Sequence, residues 1–93
     1  MEVKKIKTNP FNSFSTNLRY ERKKRHFTME YLAEITDLSI SYIGLLERKD
    51  KTPSLETLVK LCNVFNLTPD DLLLPKDQQE LDKVLKKKQP RNK

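Results

Sequence analysis

The sequence predicts an all-α domain, and three observations predict it. Glycine occurs once in 93 residues, at Gly44, too sparsely for a turn-rich β fold. Apolar residues recur at spacings of three and four, as in Leu58, Leu61, Cys62 and Phe65, the mark of a helix with one buried face. Hydroxyl residues stand before such runs at Thr28, Ser39, Ser54 and Thr68, where a side-chain oxygen can accept from the free amides of a first helical turn. With 35% hydrophobic and 34% charged residues, the chain suits one small domain with a modest core under a heavily solvated surface.

Residues 1–11 lack helical period and contain Asn9-Pro10, a turn signal, so they read as a flexible basic arm. A first helix is expected from Asn12 or Ser13, either able to cap it, to about Arg25. Phe14, Leu18 and Arg22 stand four apart on one face, which puts Arg22 where an apolar residue is normal. Either its stem snorkels or its charge meets a buried acid. The run Arg22-Lys23-Lys24-Arg25 suits the negative end of a helix dipole or, alternatively, contact with phosphate.

His26-Phe27 makes a joint, and Thr28 caps a second, short helix ending near Ile35. Leu32 and the small Ala33 face inward. Tyr31 stands where the acidic member of a capping box would be, so that box is incomplete. Thr36-Asp37-Leu38 breaks the pattern, with Asp37 at a left-handed position. Ser39 opens a third helix that runs to Arg48. Two short helices joined by about three residues form a helix-turn-helix over about 28–48.

Ser54 caps a fourth helix with the stripe Leu55, Leu58, Leu61, Cys62 and Phe65, and Asn66 suits a left-handed C-terminal cap. Thr68-Pro69-Asp70-Asp71 opens a fifth with a hydroxyl, a proline at the first position and first-turn acids. Leu72 and Leu73 close the core before Pro75. Residues 76–93 carry Leu81, Val84 and Leu85 at helical spacing and are either a short sixth helix or a basic tail.

The third helix has two unlike faces. At roughly 100° per residue, Ile43, Leu46 and the stem of Glu47 share an inner side with Ser39. Ser41, Gly44, Leu45 and Arg48 fall opposite, flanked by Ile40 and Tyr42. Gly in a helix interior costs about 1 kcal/mol relative to Ala, so a bare backbone at Gly44 suggests close approach of something else.

Charge and chemistry narrow the function. Residues 1–26 hold eight Lys/Arg against two Asp/Glu, residues 27–74 four against eight, and residues 75–93 seven against three. The net charge of +6 therefore flanks an acidic middle and suits a polyanionic partner. A single cysteine, Cys62, excludes an internal disulfide and a multi-cysteine zinc site, and it stands on an apolar stripe as a buried thiol. His26 is the only histidine, and no glycine-rich phosphate loop occurs, so no catalytic residue, metal or cofactor is expected. No apolar run approaches the roughly 20 residues of a membrane span, and the first seven residues lack the core of a secretory signal. A cytoplasmic protein is the expectation.

From about Leu18 to Leu74 the chain resembles the Cro and phage-repressor type of helix-turn-helix domain, the XRE family. The resemblance rests on Arg22, Phe27-Thr28, Leu32-Ala33-Glu34, Leu38-Ser39, Ser41-Tyr42-Ile43, Leu46-Glu47-Arg48, Pro53 through Leu58, and Leu67-Thr68 before Asp71-Leu72-Leu73. It implies a compact five-helix domain over residues 12–75, with the third helix in the major groove of double-stranded DNA. It further implies a structural ion pair between Arg22 and Glu47. Base-facing positions would be Ile40, Ser41, Gly44 and Leu45, and phosphate-facing ones Thr28, Met29, Ser39, Tyr42, Arg48, Lys49 and Lys51.

A small transcriptional regulator, repressor-like and dimeric on a palindromic operator, is the implied function, with no small-molecule ligand and no membrane partner. This chain departs from the family at Met29, where many members carry Gln, at Ile40 and Leu45, where polar residues are common, and at Lys49, where Gly is common. The apolar pair Ile40 and Leu45 motivates an alternative: a protein-interaction module on the same fold, such as an antitoxin or antirepressor subunit.

Overall fold

In the computed structural model, residues 11–86 are described, and among them lie six helices and no strand. They are α1 (Phe11–Lys24), α2 (Met29–Thr36), α3 (Ile40–Glu47), α4 (Leu55–Phe65), α5 (Pro69–Leu73) and α6 (Gln78–Leu85). Nearly all of the expected N-terminal arm and the last seven residues of the tail lie outside the described residues. Of the two expectations for residues 76–93, the helical one holds for Gln78–Leu85.

The core draws on five helices. Phe14 and Leu18 from α1, Leu32 and Ala33 from α2, Ile43 and Leu46 from α3, Leu58, Leu61, Cys62 and Phe65 from α4, and Leu72 from α5 form one buried cluster. Phe27, in the joint before α2, stacks on Phe65 at 6.2 Å and meets the edge of Tyr31 at 4.8 Å between ring centroids. Two details differ from expectation. Helix α1 already includes Phe11, just before the expected start near Asn12 or Ser13. Leu55 is not core: it opens α4 and is 77% exposed.

Local chemistry sets the ends of the elements. Thr28, Ser39, Ser54 and Thr68 are extended residues whose hydroxyls accept from the amide three residues on. Thr68 and Asp71 complete a reciprocal capping box, and the bonds donated by the Thr68 amide and hydroxyl hold the Asp71 carboxyl below the usual range. Left-handed residues follow α1, α2, α3 and α4: His26, Asp37, Lys49 and Asn66. At Asp37 the closing bonds run from Leu38 N to the Ala33 carbonyl at 3.0 Å and from Asp37 N to the Glu34 carbonyl at 3.3 Å, a Schellman motif. The same pair recurs at Lys49, with Asp50 N to the Leu45 carbonyl at 2.9 Å and Lys49 N to the Leu46 carbonyl at 3.3 Å.

Polar groups buried on α1 lock the later helices in place. The Asn17 amide donates to the carbonyls of Leu72 at 2.9 Å and Leu74 at 2.7 Å, tying down the end of α5. Glu21, almost wholly buried, receives Arg25 at 2.7 Å and Lys76 at 3.4 Å. Arg25 also donates to the Phe65 carbonyl at 3.0 Å and lies over the Phe65 ring. Within the basic run at the end of α1, Arg25 is thus a structural cation. The Tyr20 hydroxyl donates to Glu80 at 2.7 Å and fastens α6 to α1, beside the buried Leu81. Burial, and then the bond and charge of Glu80, raise the Tyr20 pKa to about 12.

Candidate nucleic-acid interface

Helix α3 is held by an ion pair on its inner side. Arg22 Nε donates to Glu47 Oε2 at 2.6 Å and Arg22 Nη2 to Glu47 Oε1 at 3.0 Å, a bidentate pair with both side chains buried. The remaining terminal nitrogen, Nη1, donates to the Phe27 carbonyl at 2.9 Å. One guanidinium therefore joins α1, the joint before α2, and the end of α3. Ile43 and Leu46 complete the inner face and are fully buried. A helix of eight residues fixed in this way has little freedom to rotate about its axis.

The turn before it is equally constrained. Thr36 donates its buried hydroxyl to the Leu32 carbonyl at 2.6 Å, and Asp37 takes the left-handed conformation. Leu38 packs partly buried, and Ser39 accepts from Tyr42 N at 3.0 Å. Chain reversal thus sets α2 against α3, and among the described residues no helix covers the outer face of α3.

That outer face brings together some of the expected site residues and not others. Ile40 is 48% exposed and Ser41 is exposed, while Leu45 is half-buried. Gly44 does not present bare backbone: it is buried, because the Arg48 side chain folds back across it. A Cβ at Gly44 would lie 3.0 Å from Arg48 Nη1. Arg48 Nε in turn donates to Asp50 Oδ2 at 3.3 Å.

Among the residues expected to face phosphate, Thr28, Ser39, Arg48, Lys49 and Lys51 are exposed. Met29 packs partly into the core instead of offering a polar end. Tyr42 is half-buried against the core, and its hydroxyl shares a hydrogen bond of 3.2 Å with Thr57 Oγ1 at the start of α4. Lys49 reaches across to Thr16 Oγ1 of α1 at 3.4 Å. The roles of Asn17, Glu21, Arg25 and Asp50 were not read from the sequence. For Asp50 there was a signal, an acid two residues from Arg48 in a basic stretch. Glu21 and Arg25 stand four apart, a visible pairing, whereas Asn17 depends on which helix lands opposite it.

Among the described residues no group of three or more His, Cys, Asp or Glu could hold a metal ion, and no helix is long and apolar enough to cross a membrane. Cys62 is buried, and that burial pushes its thiol pKa up.

A short capped helix, a three-residue turn, and a second helix with its inner face locked and outer face open together define a helix-turn-helix DNA-binding regulator. The HTH_3 helix-turn-helix family model matches residues 18–72, so this chain belongs to that family of transcriptional regulators. It is 34% identical over 73 residues to control protein C.SmaI of Serratia marcescens, spanning 78% of this chain and 79% of that one. It is 38% identical over 56 residues to the HTH-type transcriptional regulator DdrOP3 of Deinococcus deserti, covering 60% of this chain but 43% of the relative.

Among solved structures, the restriction-modification controller protein C.AhdI from Aeromonas hydrophila superposes with a TM-score of 0.63 at 31% identity, over 67% of this chain and 94% of that one. The clp gene regulator ClgR from Corynebacterium glutamicum gives a TM-score of 0.67 at 26% identity, over 84% of this chain and 78% of that one.

Proposed function

We propose that this regulator binds double-stranded DNA sequence-specifically, with α3 in the major groove, as a homodimer on a palindromic operator. The observation that carries the reading is the division of α3: a locked inner face and an outer face where, among the described residues, no other helix covers Ile40 and Ser41, with the half-buried Leu45 beside them. Ser41 is suited to hydrogen-bond a base edge, and Ile40 and Leu45 to pack on thymine methyl groups. Thr28, Ser39, Lys49 and Lys51 flank this face and are suited to phosphate oxygens, which position the helix without specifying sequence. Met29 would lie against the backbone through its stem. Tyr42 would add a phosphate bond only from a hydroxyl already shared with Thr57.

An eight-residue helix reads few base pairs, so twofold repetition is the economical route to specificity, with half-sites about one helical turn apart. The likeness to the restriction-modification controller C.AhdI favours control of a restriction-modification locus, with control by the protein's own concentration.

Selection of bound duplexes from a random library tests the reading. The expected result is a palindrome with A·T pairs where Ile40 and Leu45 reach. Binding should weaken with salt in proportion to the phosphates neutralised; a flat response of log affinity to log salt overturns the proposal.

A further inference from the structure

We infer that Arg48 is a base-reading residue, directed at one guanine in each half-site, and that Gly44 and Asp50 put it in place. The inference rests on the DNA-binding reading and adds a specificity determinant to it. Helical spacing puts Arg48 on the outer face of α3 with Ser41, Gly44 and Leu45, and the family resemblance assigns it to phosphate. The geometry moves it. Long side chains on a helix point back over the preceding turn, so the Arg48 guanidinium covers the position one turn earlier. That position is Gly44, and the guanidinium carbon lies 3.8 Å, and Nη1 3.0 Å, from where a Cβ would stand. Any larger residue there would push the guanidinium outward. With glycine it lies against the helix backbone, on the stripe that continues from Ile40 and beside the stripe of Ser41 and Leu45.

Asp50 supplies the second part of the geometry. Its carboxylate accepts from Nε at 3.3 Å and favours one orientation of the fork, weakly because both groups are hydrated. Among the described residues the terminal N–H groups of Arg48 have no hydrogen-bond partner. Two parallel N–H donors of the planar guanidinium match the O6 and N7 acceptors of guanine in the major groove. An aspartate beside DNA is otherwise unfavourable, since phosphates repel it. Its pairing with Arg48 gives that charge a purpose on this face. The inference also answers the lack of hydrogen-bond donors among Ile40, Gly44 and Leu45: the donor for this face is delivered from the following turn.

The test is binding of the full chain and four variants, Arg48→Lys, Arg48→Ala, Asp50→Ala and Gly44→Ala, to the same random duplex library, with salt titrations on the selected site and on a scrambled one. Arg48→Lys keeps the charge and loses the planar fork. It should reduce the preference for guanine at one position per half-site by roughly 5- to 150-fold while the salt slope stays unchanged. Asp50→Ala should give a distinctive pair of changes: tighter binding to the scrambled duplex, because a negative charge is gone, and weaker discrimination at that guanine. Gly44→Ala should blur the same position in part, since the guanidinium must give by a few tenths of an ångström.

Arg48 and Asp50 side chains are both more than half exposed, so these variants should fold, and melting curves check that they do. If Arg48→Lys and Arg48→Ala leave the base preferences intact, and Arg48→Ala weakens every duplex alike with a salt slope smaller by about one, Arg48 is a phosphate contact and the inference is overturned. A wild-type chain with no sequence preference and no salt-dependent duplex binding overturns the underlying DNA-binding reading as well. The two failures are therefore distinct.

Discussion

Arg22 and Arg48 each meet a carboxylate at the end of α3, Glu47 for the first and Asp50 for the second. The inner pair is bidentate, at 2.6 and 3.0 Å, with both side chains nearly dry. The outer pair is a single bond at 3.3 Å with both partners more than half in water. Solvent separates their roles. A buried guanidinium with a matched carboxylate and a carbonyl has one arrangement worth having, so it fixes α3 relative to α1. A hydrated pair is restrained only weakly and can exchange its partners for a ligand's at small cost. One helix therefore carries a fixed face and an adaptable face, built from the same two functional groups.

Breaking the inner pair should have the largest effect. Glu47→Ala leaves Arg22 charged and dry, which should destabilise the fold by about 3–5 kcal/mol in denaturant titrations. Replacing both partners with apolar residues of similar volume, as in Arg22→Met with Glu47→Leu, should recover most of that loss. A single variant as stable as wild type would show that solvent reaches the pair, and the contrast with Arg48 would disappear.

Next comes the junction of α1 and α6. Folding holds the Tyr20 phenol neutral, with its pKa raised from 10.0 to about 12. A raised acid contributes stability fully below its unfolded pKa and loses it as pH climbs through the folded one. Stability should therefore fall between pH 10 and 12, by on the order of 2 kcal/mol, because the unfolded chain ionises first. In Tyr20→Phe that part of the alkaline slope should vanish, which urea titrations across this window would register.

Much of the fold was legible because helix ends are local chemistry. Thr28, Ser39, Ser54 and Thr68 each need only their own hydroxyl and an amide three residues on, and Asp37 and Asn66 need only tolerance of a left-handed backbone. The Arg22–Glu47 pairing was carried by the family resemblance, while the sequence itself showed only a charge at an apolar position. Buried Asn17 and Glu21 were illegible for the opposite reason. Asn17 bonds to Leu72 and Leu74, and Glu21 adds Lys76 to its neighbour Arg25; these distant partners lie more than 50 residues away, and nothing in the local pattern of α1 announces them. On the outer face, Gly44 and Arg48 were read separately, as a bare backbone and a phosphate ligand. Their one-turn spacing was visible, but the direction a helix side chain takes is what joins them.

Two backbone substitutions next to α3 should have intermediate effects of opposite sign. Ser39→Ala removes the oxygen that accepts from Tyr42 N, and should destabilise by about 1 kcal/mol. Lys49 stands at φ 67°, where a side chain is strained, and Lys49→Gly should stabilise by about 0.5–1 kcal/mol. The gain would be partly offset by loss of the Lys49 bond to Thr16 and by the greater freedom of glycine in the unfolded chain. Thermal melts of the two variants would check both signs.

The smallest stability change is expected at the outer pair itself. Arg48→Ala removes a bond of 3.3 Å between hydrated groups and uncovers Gly44, whose backbone carbonyl is already engaged by Arg48 N at 3.0 Å. Water can replace the guanidinium at Asp50, so the change in folding stability should stay within about 0.5 kcal/mol. A loss as large as that of Glu47→Ala would mean that the fold depends on the outer pair too, and α3 would have two structural faces. If stability holds while recognition changes, the two pairs are separable in function as they are in solvation. That separation would let the reading face vary without disturbing the domain that carries it.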